Sequence, residues 1–208
     1  MKHDPIRARV KAMLAFKKNN VRLKNGWCVK KRNFARPTLV LIGFMGSGKS
    51  TLGQSLAAAT NSAFIDTDAM LEMREGKSIS EIFSESGEAG FRRKEAALLC
   101  ELLVTSFPYS RTSSNPAVIA TGGGAVISRS ARALLRQKNT LVIWLNTSYS
   151  AITKRLSGTT GRPLYERMKD SPAFSKLYHK RQSLYKSVAD IVVYGNGKTS
   201  AATTEAPR

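Results

Sequence analysis

Apolar residues recur along this chain in short, largely β-branched runs separated by longer stretches of helical period. TLVLI (38–42), AFI (63–65), AVIA (117–120), TLVIWL (140–145) and IVVY (191–194) are too short for helices, and each predicts a strand. Between them, TLGQSLAAAT is composed of helix formers, and helical pattern returns from Ala69 to Arg74 and from Ser80 to Phe83. From Phe91 to Val104 the positions Phe91, Leu98, Leu99, Leu102 and Leu103 mark one buried helix face, with Gly76, Gly87 and Gly90 as punctuation before it. Further helices are expected from Ser130 to Gln137, from Ser148 as N-cap to about Ser157, and from Ala173 to Val188. Five strands alternating with helices predict an α/β fold: a five-stranded parallel sheet flanked by helices on both faces.

A chain of 208 residues with 42% hydrophobic content suits one well-buried core. No run of about 18 apolar residues occurs, so no membrane span is expected. Cys28 and Cys100 are far apart without metal-ligand spacing, which predicts free thiols in a reducing compartment, with the cytoplasm as the default. The formal charge of +20 raises nucleic acid as a partner, but its distribution weakens that reading. Residues 1–36 hold 12 of the 34 Lys and Arg and one of the 14 acids, Asp4, so much of the excess belongs to a basic extension. That segment admits three readings: a solvated tail or early start codon, a targeting presequence, or a polyanion-binding arm. Nucleic acid is not expected as a partner of the core, residues 195–208 read as a small-residue tail, and a monomer is the expected state.

The first strand runs directly into GFMGSGKS, which fits G-x-x-x-x-G-K-[ST] at Gly43, Gly48, Lys49 and Ser50 and opens the next helix. Strand, phosphate loop and helix in this order form a polyphosphate cradle. Glycines at 43, 46 and 48 allow backbone N–H groups to turn inward, and the helix N-terminus adds partial positive charge. Gly46, Ser47, Gly48, Lys49, Ser50 and Thr51 are therefore the candidate nucleotide-binding residues. Lys49 supplies a point charge to the β- and γ-phosphates, and the Ser50 hydroxyl is a candidate Mg²⁺ ligand.

Asp66 and Asp68 follow the second strand, at the edge where open α/β sheets bind ligands. In an extended stretch they would point to the same side. A phosphotransferase needs one acid near the metal and one that orients or deprotonates the acceptor, and Asp66 is the better metal partner; helix N-capping is the alternative for such a pair. Gly122, Gly123 and Gly124 follow the third strand and suit a wall whose backbone contacts a polar ligand, or else a plain turn. Among many cations, Arg92 stands just after Gly90-Phe91 at a helix start, where its planar fork suits a carboxylate. Arg162 lies in GTTGRP, a glycine-flanked segment that reads as a mobile lid, with Pro163 stopping any helix. Arg155 and Arg181 complete the set of candidate arginines.

Taken together, GFMGSGKST, DTD, GFRRKE, ATGGG, GRPL and the late R-x-x-L-Y at Arg181 to Tyr185 resemble shikimate kinase, in order and at comparable spacing, from Thr38 to Tyr194. The resemblance implies a P-loop NTPase domain over 37–194 of the nucleoside-monophosphate-kinase type with a mobile lid. It also implies Mg²⁺-dependent transfer of the ATP γ-phosphate to the shikimate 3-hydroxyl. On the same ground Asp68 is the residue that binds and polarises the substrate hydroxyls, with Lys49 and Arg162 as its catalytic companions. Asp66 is implied as a metal-shell acid, Arg92 and Arg181 as clamps on the shikimate carboxylate with Glu95 orienting nearby groups, and Gly122, Gly123 and Gly124 as the substrate-facing loop. Arg162 is implied to reach ATP from the lid, and Arg155 to sit beside adenine. The family's final helix after the fifth strand has no counterpart in the pattern from Gly195 to Arg208. A related kinase for another polyol acid such as gluconate is the alternative enzyme. A nucleotide switch or nucleic-acid-binding NTPase has less support, since no N-K-x-D motif occurs.

Overall fold

The computed structural model describes residues 37–104, 117–157, 163–194 and 199–201. The expectations for 1–36, for Cys28, for the segment 158–162 with Arg162, and for most of the tail lie outside the described residues. In chain order the elements are β1 (Thr38–Ile42), α1 (Lys49–Thr60), β2 (Phe64–Asp66), α2 (Thr67–Glu75), α3 (Ile79–Val104), β3 (Val118–Ala120) and α4 (Arg129–Leu135). There follow β4 (Thr140–Asn146), α5 (Tyr149–Leu156), α6 (Pro163–Met168), α7 (Pro172–Val188), β5 (Ile191–Tyr194) and β6 (Thr199–Ala201).

The strands form one sheet in the order β2-β3-β1-β4-β5-β6. The first five are parallel, with Val40 level with Ile119 on one side and Val142 on the other. Period-two alternation divides the core between the two faces. Val40, Ile42, Val142, Trp144 and Val192 pack under α3, α4, α5 and α7, whereas Leu39, Leu41, Ile143, Leu145, Ile191 and Val193 pack against Leu52, Leu56 and Ala57 of α1. Burial of each such side chain contributes about 2 kcal/mol. Because β1 is central, this core fixes the strand end that carries the phosphate loop.

Four local features differ from the sequence expectation. The helix before Val104 does not begin at Gly90: it is continuous from Ile79 apart from a break at Gly87, with φ 63° and ψ 178°. Gly90 lies inside the helix, where an added Cβ would stand 2.5 Å from that of Ser86, so it marks close packing and not an end. Pro163 opens α6 instead of stopping a helix, because proline's fixed φ and missing N–H suit the first turn. The tail contributes β6, antiparallel to β5 with Val193 opposite Thr199. Finally, Asp66 and Asp68 do not share one extended stretch, since the chain turns helical at Thr67.

Candidate active site

The ends of β1, β2 and β3 meet on one rim of the sheet, and α3 and α7 bring arginines to it. Gly48, with φ 95°, is the N-cap of α1 and adopts a conformation that favours glycine. Lys49 is buried in the loop, its Nζ donating to the carbonyls of Gly43 at 3.0 Å and Phe44 at 3.1 Å. Arg155, on α5, donates to the carbonyls of Gly46 at 3.2 Å and Ser47 at 3.1 Å, and Thr147 Oγ1 donates to that of Ser47 at 3.2 Å. Carbonyl and following N–H of one trans peptide point oppositely, so these donors turn the N–H groups of Ser47 and Gly48 the other way. Arg155 therefore braces the phosphate loop. Ser50 and Thr51 lie exposed in the first turn of α1.

Asp66 both caps a helix and meets the phosphate loop. Its Oδ1 accepts from the N–H groups of Asp68 at 3.1 Å and Ala69 at 3.5 Å, while its Oδ2 accepts from Ser50 Oγ at 2.6 Å. The two readings of the Asp pair are thus compatible in one side chain. The Ser50 hydroxyl and Asp66 carboxylate form a pair of hard oxygen donors at the mouth of the loop, which fits an ion that takes its remaining ligands from water and phosphate. No cluster of three or more His, Cys, Asp or Glu able to hold a metal occurs among the described residues, so the protein offers a partial shell.

Asp68 points elsewhere. Its Oδ1 is buried without a hydrogen-bond partner among the described residues. Desolvation, reinforced by the nearby Glu95 charge and opposed by Lys49, pushes its pKa up to about 6. Glu95 is buried on α3 and receives Arg92 Nη1 at 2.8 Å, and burial holds its pKa above the ordinary carboxyl value despite that ion pair. Arg92 lies against the rings of Phe91 and Phe83, 5.1 and 5.8 Å from their centroids, which restrict its plane.

The three glycines after β3 face three different groups. A Cβ on Gly122 would stand 2.7 Å from Asp68 Oδ1 and would also strike Glu95 Oε1. On Gly123 it would meet the Met45 nitrogen at 2.9 Å, and on Gly124 it would overlap the Arg92 guanidinium. Absent side chains therefore let the loop approach the phosphate loop, the carboxylates and Arg92 together. Arg181, 2% exposed, donates to the Gly123 carbonyl at 3.3 Å and rests over the Phe44 ring, 5.5 Å from its centroid. Burial lowers the Arg181 pKa from its ordinary value.

Asp66, Asp68, Arg92, Arg181, Lys49, Ser50 and the three glycines are thus drawn to one rim, with Gly46, Ser47, Gly48 and Thr51 in or just after the phosphate loop. Three contributors stand inside motifs quoted from the sequence but were given no role there: Tyr185, whose hydroxyl reaches Gly123, Thr67, whose Oγ1 accepts from Gly122 N at 3.1 Å, and Phe44 under Arg181. Tyr185 was detectable as the residue one helical turn after Arg181. Phe44 and Thr67 occupy variable positions within motifs and carry no pattern of their own.

The chain is similar to known proteins in sequence and in fold. The family model described as shikimate kinase matches residues 45–206. The shikimate kinase of Chromohalobacter salexigens is 41% identical over 157 residues, covering 76% of this chain and 82% of the relative. That of Corynebacterium jeikeium is 36% identical over 162 residues, covering 78% and 81%. Among solved structures, shikimate kinase from Acinetobacter baumannii in complex with shikimate superposes with a TM-score of 0.66 at 34% identity, covering 77% of this chain and 82% of that one. The Aquifex aeolicus shikimate kinase gives 0.62 at 33% identity, covering 77% and 88%. With a family match spanning most of the chain and relatives aligned over most of their own length, the chain belongs to the shikimate kinase family.

Proposed function

We propose that the chain transfers the ATP γ-phosphate to the 3-hydroxyl of shikimate, with Asp68 as the group that orients and deprotonates that hydroxyl. The observation that carries this reading is the Asp68 carboxylate itself: a buried oxygen without a hydrogen-bond partner among the described residues, with pKa about 6, set between Lys49 and the Arg92–Glu95 pair. A base of that strength is ionised at neutral pH and accepts a proton readily. Lys49 exchanges the Gly43 and Phe44 carbonyls for phosphate oxygens when nucleotide enters, and Arg92 and Arg181 receive the substrate carboxylate. Arg162 is assigned to the phosphates from the segment before α6, and Arg155 holds the phosphate loop whether or not it also meets adenine. Ser50 and Asp66 would hold Mg²⁺, which when bound with nucleotide neutralises charge on the β- and γ-phosphates. A monomer is the proposed working unit. No helix of the described residues is long and apolar enough to cross a membrane, and the cytoplasm is the proposed compartment.

Coupled ADP release with ATP and Mg²⁺ tests the reading directly, comparing shikimate, gluconate and no acceptor. Shikimate-dependent turnover is expected, with no more than background for gluconate. Turnover with gluconate alone would reassign the acceptor, and ATP binding without any turnover would reject the kinase reading.

A further inference from the structure

Three consecutive glycines form a segment with great backbone freedom and no side chain by which to be held. Only its peptide groups can be gripped. The protein grips them at successive points: Thr121 N and Oγ1 both donate to the Leu41 carbonyl at 3.1 Å, and Thr67 Oγ1 accepts from Gly122 N at 3.1 Å. The third grip is the Gly123 carbonyl, which accepts from the Tyr185 hydroxyl at 2.6 Å and from Arg181 Nη1 at 3.3 Å. Tyr185 and Arg181 are four residues apart on α7 and so share one helix face.

We propose that Tyr185 is a positioning residue for the substrate side of the site, its hydroxyl fixing the Gly123–Gly124 peptide and the setting of Arg181. The peptide is planar, so holding the Gly123 carbonyl against α7 aims the Gly124 N–H the opposite way. That orientation belongs to the residue whose missing Cβ makes room for Arg92. The shorter bond comes from tyrosine, which leaves the Arg181 guanidinium only loosely engaged by the carbonyl. Without the hydroxyl, Arg181 becomes the only side-chain donor among the described residues to that oxygen and is drawn onto it, away from an incoming carboxylate. Tyr185 is itself firmly held, being 1% exposed with its ring stacked on Trp144 at 5.8 Å, and burial raises its pKa so that it remains a donor. The influence of the hydroxyl on the acceptor thus runs through Gly123 and Arg181.

The inference rests on the proposed function, and its test has an arm that does not. Tyr185→Phe removes one oxygen and keeps the ring stack. In the full chain it should raise the shikimate KM about tenfold, the expected consequence of misplacing one charge-assisted contact, with kcat and the ATP KM within about twofold. Trp144→Phe disturbs the same stack without touching the hydroxyl, and should lower Tm while leaving the shikimate KM within about twofold. Amide hydrogen exchange at Gly123 and Gly124, without ligands, should quicken at least about fivefold in Tyr185→Phe and not in Trp144→Phe. An unchanged shikimate KM in an active Tyr185→Phe protein overturns the proposal, as does a parallel rise in both KM values. Unchanged glycine exchange overturns it whatever the turnover. Absence of shikimate turnover in the wild-type chain would remove the proposed function and leave exchange to decide whether the latch exists.

Discussion

At the scale of single residues, Asp68 carries the sharpest expectation. A carboxyl whose folded pKa lies above its unfolded value binds its proton more tightly in the folded state. Its stabilising contribution is whole below about pH 4 and is lost as pH rises through about 6. Asp68→Asn escapes that loss, so it should raise Tm at pH 7.5 by an amount reflecting on the order of 3 kcal/mol, with little advantage near pH 4. It should also lower kcat by about 10² to 10⁴ while leaving nucleotide Kd within about twofold. In the wild-type protein, turnover should fall on the acid side of about pH 6 as the base becomes protonated. A lower Tm for the variant at pH 7.5, or an acid limb that the substitution leaves in place, would contradict this assignment. The sequence made Asp68 visible as half of an Asp pair but not its distinction from Asp66. Asp66 ends β2 and Asp68 stands two residues on, yet one spends its oxygens on backbone N–H groups and Ser50 while the other is left buried opposite Glu95. That difference arises from residues distant in sequence, which spacing alone does not carry.

At the scale of elements, most helices and strands were legible because their apolar periods are clean, and Ser148 was legible as a cap because its hydroxyl accepts from Ala151 N at 3.4 Å. The break in α3 was not. Gly87 and Gly90 look alike in the sequence, but only Gly87 takes a positive φ, with open space where a Cβ would stand. Its φ and ψ lie in a region open essentially to glycine, so Gly87→Ala should cost on the order of 1–3 kcal/mol through the backbone alone. The break sets two segments of α3 so that Phe83 and Phe91 meet at 4.3 Å and both lie beside Arg92. Moving one aromatic should therefore loosen Arg92, and Gly87→Ala is expected to raise the shikimate KM together with lowering Tm. Gly76, also at positive φ in open space but at a helix C-cap, provides the comparison. Gly76→Ala should cost about 1 kcal/mol and leave KM unchanged. Equal kinetic effects from both would show that α3 does not position Arg92 through its break.

At the scale of the whole molecule, the parallel sheet was predictable from alternation, whereas the strand order and the antiparallel β6 were not, since pairing joins segments far apart and TSA has no hydrophobic alternation. The order matters for function because it places β1 between β3 and β4, with the phosphate loop beside the glycine loop and both beside α7. Two ligand sites built on one rigid rim should remain separable in their binding energetics. A ligand that binds only the folded state at about a hundredfold its Kd adds about 2.7 kcal/mol, which for a chain of this size is on the order of 5 to 10 °C in Tm. A nucleotide analogue should protect the wild-type protein and Arg92→Lys alike, since lysine keeps the charge beside Glu95 and the phosphate loop is untouched. Shikimate should protect the wild-type protein but lose most of its effect in Arg92→Lys, because an ammonium cannot hold a carboxylate bidentately while also meeting Glu95. Lys49→Met should give the converse pattern, with shikimate protection retained and nucleotide protection reduced. If either substitution abolished both kinds of protection, the rim would behave as one indivisible site, and the separate assignments of Arg92 and Lys49 would have to be abandoned.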